Sequence, residues 1–183
     1  SYTSYVNSTA YTASKKYLVD IVDKAKIKRD VEEAKEKADV IIVSMHHGTE
    51  YSYTPTTEQK DIASYLAELG VSVMIGHHPH VLQPVEWVNG KGGHRMLCYY
   101  SLGNFVSSQE RTPRMLGGIA TFALQMDAAG RVTVENAAIT PIVTHFAPGK
   151  KDFKIYKLKE YTEALAAVHG MHEFDQEMSL SRL

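Results

Sequence analysis

Val73-Met74-Ile75-Gly76-His77-His78-Pro79-His80-Val81 puts three imidazoles into four positions directly after a short apolar run. Such a run, closed by glycine and proline, reads as a buried strand ending in a loop. Upstream, Asp39-Val40-Ile41-Ile42-Val43-Ser44-Met45 reads as a second buried strand, followed at once by His46-His47-Gly48-Thr49-Glu50-Tyr51. Two strands therefore end in histidines. Ligands of open α/β sheets bind at the carboxyl ends of the strands, so both clusters are expected to reach one site. Three imidazoles packed together without a metal, carboxylate or phosphate would leave polar groups unused, and the cluster is read as a metal or anion site.

Working outward, Tyr17–Val22 reads as a strand, and Asp23 as the cap of a helix from Lys24 to Lys37 with Ile27, Val31, Ala34 and Ala38 inward. A second helix runs from Glu58 to Leu69, capped by Thr56 or Thr57, with Ile62, Tyr65, Leu66 and Leu69 inward and Gly70 as its left-handed stop. Strand, helix, strand, helix, strand is the order of parallel crossover units. Beyond Val81 the pattern becomes β. Pro84–Val88 and Arg95–Tyr100 flank an Asn-Gly/Gly-Gly turn, and Gly118–Met126 and Val132–Ile139 flank Ala128–Gly130, so two hairpins are predicted. A last helix is predicted over Lys159–Val168, stopping at Gly170.

At 183 residues, 44% hydrophobic and 22% charged, the chain has ordinary globular composition. A net charge of -1 supplies no general attraction to nucleic acid, which is not expected as a partner. A single cysteine, Cys98, rules out a disulfide within the chain. The Lys/Glu-rich stretch Lys24–Lys37 reads as a solvated helix face, and no apolar run reaches bilayer-spanning length.

The isolated histidines His94, His145, His169 and His172 read as hydrogen-bonded structural residues. Glu50, four positions after His46, reads either as a surface carboxylate or as a general acid/base or acceptor that fixes a histidine tautomer. Asn104 in Ser101-Leu102-Gly103-Asn104-Phe105 suits a turn. Arg111 and Arg114, flanking Pro113, read as solvated loop arginines or as ligands for phosphate or carboxylates.

The runs VSMHHGTEY, VMIGHHPHVLQPVEW and YYSLGNFV, in this order, resemble the capsule-synthesis protein A family (CapA/PgsA, poly-γ-glutamate biosynthesis), a branch of the calcineurin-like metallophosphoesterase superfamily. The resemblance is good from Tyr17 to Phe122 and weak beyond. His47 stands where the family has Trp. The resemblance implies an α/β fold that is half of a four-layer α/β/β/α metallophosphoesterase-like sandwich with mixed sheets. Residues 1–183 would be the carboxyl-terminal part of one such domain, its amino-terminal half, with the early Asp-x-His and bridging Asp, lying outside this chain.

By that resemblance His46, His77, His78 and His80 are the metal ligands, with His77 and His78 as alternatives for one position. Glu50 is the catalytic candidate, and Asn104, Arg111 and Arg114 are the substrate-binding candidates. The implied cofactor is a divalent transition metal (Mn, Zn, Fe or Ni), two ions in the full-length protein. The implied function is capsule (poly-γ-glutamate) biosynthesis with hydrolase-type chemistry on a phosphoester or polyglutamate-related substrate. The alternative is a non-catalytic component that binds the anionic polymer or assembles the synthesis and export machinery. Implied partners are the polymer or phosphoester, the amino-terminal half or another chain, and membrane-bound capsule synthesis proteins at the bacterial cell envelope or outside the cell. The chain alone is expected to expose a sheet edge, bind at most one ion and hydrolyse little.

Overall fold

The computed structural model describes residues 1–6 and 17–183. Local signals start both long helices. Asp23 lies in extended backbone and accepts a hydrogen bond from the Lys26 amide, opening α1 (Lys24–Lys35). A cap of this kind satisfies an amide that has no partner inside the helix. Thr56 and Gln59 form a reciprocal capping box at the head of α2 (Thr57–Glu68), and Gly70 takes the left-handed backbone (φ 79°) that ends it.

Five strands, β1 (Tyr2–Thr3), β2 (Ile42–His46), β3 (Val73–His77), β4 (Val85–Asn89) and β5 (Arg95–Tyr99), form one sheet in the order β1-β2-β3-β5-β4. β1, β2, β3 and β5 run parallel, while β4 returns antiparallel to β5 through the Asn-Gly/Gly-Gly turn. Ile27 and Val31 of α1 and Ile62, Ala63 and Leu66 of α2 bury against Val43, Met45 and Met74 on one face. Burial of each such large side chain contributes roughly 1.5–3 kcal/mol. Alternation along the strands then turns Ser44, His46, Ile75 and His77 to the other face.

That second face is covered in part by β6 (Leu116–Met126) and β7 (Val132–Ala147), which with β8 (Lys151–Lys157) make an antiparallel sheet in the order β6-β7-β8. Val73, Leu97 and Tyr99 pack there with Ile75, Phe122 and Ile139. The Tyr99 hydroxyl lies 3.1 Å from the Thr121 carbonyl and 3.2 Å from that of Ala138, which pins the two sheets together. A third core, with Val143, Phe146, Tyr161 and Met171, joins β7 to α3 (Glu163–Ala167) and the carboxyl-terminal turns. The fold is α/β with mixed sheets.

Several expectations are corrected. Tyr17–Val22 is not a strand: Tyr17 and Leu18 are exposed, and only Ile21 makes a bridge, to Thr3. The place beside β2 is taken by Tyr2–Thr3, and Asp23 commits the following residues to α1. α1 ends at Lys35, so Ala38 lies beyond the helix and is exposed. The helix expected over Lys159–Val168 shrinks to α3, because a turn at Leu158–Glu160 precedes it and Thr162 caps it. β7 continues through Ala147, and β8 was not anticipated at all. Its lysines and aspartate sit on an edge strand, where charge is tolerated and even protective, so its composition does not read as a strand.

Candidate functional site

β2 and β3 pair with His46 directly opposite His77, so the two strands deliver their histidines at one end of the sheet. Gly76 precedes His77 because the strand there runs against the backbone of Tyr100; a Cβ at Gly76 would lie 2.0 Å from the Tyr100 carbonyl oxygen. The loops that follow are joined to each other. The His47 amide donates to the His77 carbonyl (3.0 Å), and the Tyr51 amide to that of Pro79 (2.7 Å). Gln59, while closing the capping box of α2, also donates to Gln83 (2.9 Å), which donates in turn to the Ser52 carbonyl (2.8 Å). Gly48, at φ 108°, has no room for a side chain beside that Gln59 amide.

Of the seven non-glycine residues at positive φ among those described, three are here: Tyr51 (64°), His78 (101°) and His80 (60°). Each such conformation costs on the order of 1–3 kcal/mol and persists only where its surroundings enforce it. The result is visible in the rings. His78 comes back over His46, with its Nδ1 3.1 Å from His46 Nε2. Tyr5 stacks on His78 at 4.6 Å between ring centroids, and Tyr51 on His80 at 5.9 Å. His77, although it ends the strand, instead shares a cavity of about 340 Å³ with His46 and Ser44 beside β1.

Asn104 settles the tautomer of His80. Its Nδ2 donates to the Arg114 carbonyl (3.0 Å) and approaches that of His80 (3.4 Å), so its Oδ1 must face His80 Nδ1, at 2.8 Å. An amide oxygen only accepts, so His80 carries its proton on Nδ1 and keeps a lone pair on Nε2. This is the arrangement in which an outer acceptor orients a ligating imidazole. Glu50, by contrast, is exposed and makes no side-chain hydrogen bond among the described residues; its charge favours protonation of His78, against the burial that disfavours it.

Burial pushes His46, His77 and His78 below the ordinary imidazole range, and for His46 the neighbouring histidines add to the effect. His47 is pushed down to about 4, first by burial and then by His46, His78 and His77. It is 1% exposed, and neither ring nitrogen has a partner among the described residues. The rings near β2 and β3 are thus held in the neutral form that binds metal.

Among the described residues no three His, Cys, Asp or Glu side chains converge as a metal-binding group. The His46/His78 pair nevertheless fits one ion. Two nitrogens each ~2.0–2.1 Å from a shared ion lie roughly 2.8–3.0 Å apart at octahedral angles and roughly 3.3–3.4 Å apart at tetrahedral ones; these two lie 3.1 Å apart, between those spacings and within hydrogen-bond reach of each other. The residues present fit part of a ligand set.

Arg114 lies with its guanidinium 3.4 Å above the Tyr51 ring, and Arg111 stands on the same short turn, Thr112–Met115 and its cap. Neither pairs with a carboxylate among the described residues. Of the isolated histidines, His94 bonds the Val71 carbonyl, His145 the Tyr161 hydroxyl, His169 the Thr144 carbonyl and His172 the Ala166 carbonyl. Sequence reasoning passed over Tyr5 and Gln59. Only the glutamine left a signal, three residues after Thr56 at the head of a helix.

Residues 2–109 match the model of a family described as bacterial capsule synthesis protein PGA_cap. The PGA biosynthesis protein CapA of Bacillus subtilis (strain 168) is 38% identical over 125 residues, which are 67% of this chain and 30% of that protein. The capsule biosynthesis protein CapA of Bacillus anthracis is 40% identical over 75 residues, 41% of this chain and 17% of that protein. The chain therefore spans less than a third of the length of these curated relatives.

Proposed function

The chain belongs to the bacterial capsule synthesis protein family PGA_cap, and we propose that it serves poly-γ-glutamate capsule biosynthesis through a metallophosphoesterase-like metal site. The observation that carries this reading is the contact of His46 and His78 at the ends of two paired parallel strands, at the spacing of two nitrogens on one ion. In this reading the two sheets and their helices are half of an α/β/β/α sandwich.

His46 and His78 would hold a divalent transition ion, with His77 and His80 flanking. Such an ion, when bound, polarises a phosphoryl or acyl oxygen and makes hydroxide available near neutral pH. The chain's own groups do the rest. Asn104 keeps the His80 proton on Nδ1, Tyr5 and Tyr51 hold the imidazole planes, and Glu50 stands at the rim as the proton carrier for a leaving group. The proposed setting is the cell envelope, beside membrane-bound synthesis proteins. No helix among the described residues is long and apolar enough to cross a membrane.

A second reading, a non-catalytic holder of the anionic polymer, is favoured by Arg111 and Arg114, which pair with no carboxylate among the described residues, and by the exposed Glu50, whose side chain makes no hydrogen bond among them. Calorimetric titration with Mn and Zn, run beside an aryl-phosphate assay, tests both. One ion per chain, lost in His46→Ala and in His78→Ala, is the expected result, with hydrolysis by this chain near background. Failure of the unaltered chain to bind either metal overturns the metal site. Turnover abolished by those substitutions overturns the non-catalytic reading.

A further inference from the structure

Two cavities of about 740 Å³ and 550 Å³ both reach Tyr51, whose ring stacks on His80, and they share four lining residues: Tyr51, Arg111, Arg114 and Asp175. These four line both cavities, and we take them as the crest along which a ligand filling both would lie. Arg114 is held there by its side chain and by its main chain. Its guanidinium lies on Tyr51, which stacks on His80, and its carbonyl accepts from Asn104, which fixes His80. Thr112 ties the same turn to the Glu177 carbonyl at 2.6 Å. The third arginine of the larger cavity, Arg182, is already engaged by Glu177. The carboxylate of Asp175, like the guanidiniums of Arg111 and Arg114, has no charged partner among the described residues, and it sits in a residue at φ 53°.

We propose that this crest is a recognition subsite for an extended, amide-linked chain bearing carboxylates, which lies across Arg111 and Arg114 from one cavity into the other beside His80. The inference rests on the proposed function and assigns specificity residues to it. The guanidiniums present forked donors to carboxylates. Asp175 accepts an N–H, which an amide-linked chain has and a polyphosphate lacks, and it repels the denser charge of a polyphosphate. Two cavities joined at one crest suit a chain better than a single small anion, which would occupy one of them.

The test measures binding of γ-linked hexaglutamate and of inorganic tripolyphosphate to the full chain by calorimetry, with thermal unfolding as the check on folding. The unaltered chain should prefer hexaglutamate. Combining Arg111→Gln with Arg114→Gln should weaken that binding at least about 10-fold, and Arg114→Lys, which keeps the charge but loses the fork and the stack, should fall between. Asp175→Asn should strengthen tripolyphosphate more than hexaglutamate and so narrow the preference between them, a shift that a merely structural role would not produce. Hexaglutamate affinity unchanged in the double variant, or tripolyphosphate bound more tightly by the unaltered chain, overturns the proposal. The Mn and Zn titration, run on the same unaltered chain without hexaglutamate, reads the metal site separately. Loss of metal binding alone therefore counts against the proposed function, and loss of chain binding alone against this subsite.

Discussion

The molecule holds two histidine clusters, and they are built in opposite ways. Around His145 and His169 every polar contact is internal. His145 Nδ1 meets the Tyr161 hydroxyl at 2.9 Å; His169 Nε2 meets the Thr144 carbonyl at 3.0 Å, and its Nδ1 accepts from the Met171 amide. The rings pack edge to face in the third core. Around His46, His78 and His80 the backbone is strained, the rings meet each other, and a fixed tautomer leaves His80 Nε2 with a lone pair. The closest pair of imidazoles is equally near in the two, with ring centroids 4.8 Å apart for His145 and His169 and for His46 and His78. The two differ in whether the nitrogens bond to the surrounding fold or to each other, and in whether the backbone is strained to place them.

The largest effect should fall on metal affinity. His46→Ala or His78→Ala should reduce Mn or Zn affinity by at least about 100-fold, since removing a direct ligand costs no less than disturbing its outer partner. His145→Ala should leave affinity unchanged in the same titration. A comparable loss from His145→Ala would erase the distinction between the clusters.

Acid should act through the most buried ring of each cluster, His169 in one and His47 in the other, both held at about 4. His169 is held at about 4, chiefly by burial, whereas an unfolded histidine titrates near ~6.5. The unfolded chain therefore takes the proton first. The stability that His169 contributes is complete above the unfolded value and is lost as pH falls through about 4, up to about 3 kcal/mol. Urea unfolding at pH 7.5 and at pH 4 should show this slope, and His169→Gln should flatten it. His78→Gln should flatten it much less, because that ring is less buried.

Asn104→Leu should cost about 10-fold in metal affinity while leaving the ion count unchanged, since it frees the His80 tautomer without removing a ligand. An unaltered affinity would show that His80 stands outside the ligand set. The smallest effect is a gain: His78→Gly relieves the backbone at φ 101° and should stabilise the fold by about 1 kcal/mol while abolishing the paired contact with His46. Glycine in place of His145 should only destabilise. Denaturant midpoints of the two variants make the check.

Periodicity and capping chemistry were enough to read β2, α2, β3 and the β4–β5 turn, because each depends on neighbours only a few residues away. The family resemblance likewise rested on contiguous motifs. β8 and the far half of β7 were not legible, since an edge strand of lysines owes its conformation to the partner it pairs with. Tyr17–Val22 misled for the complementary reason: a strand-like pattern forms no strand where the sheet position beside β2 is held by Tyr2–Thr3.

Within the site, the chain's order of residues was sufficient to say that histidines from two strand ends share one edge, because parallel pairing and the alternation of side chains follow from local pattern. Which imidazole meets His46 was a matter of tertiary structure. His77 has the strand register, but His78 makes the contact, because the loop tied by Tyr51 to Pro79 forces the next residue to φ 101° and turns its ring back. The seating of Arg114 on Tyr51 and the proton of His80 depend in the same way on Asn104, a residue from beyond β5 that only folding brings within 2.8 Å of the histidine it orients.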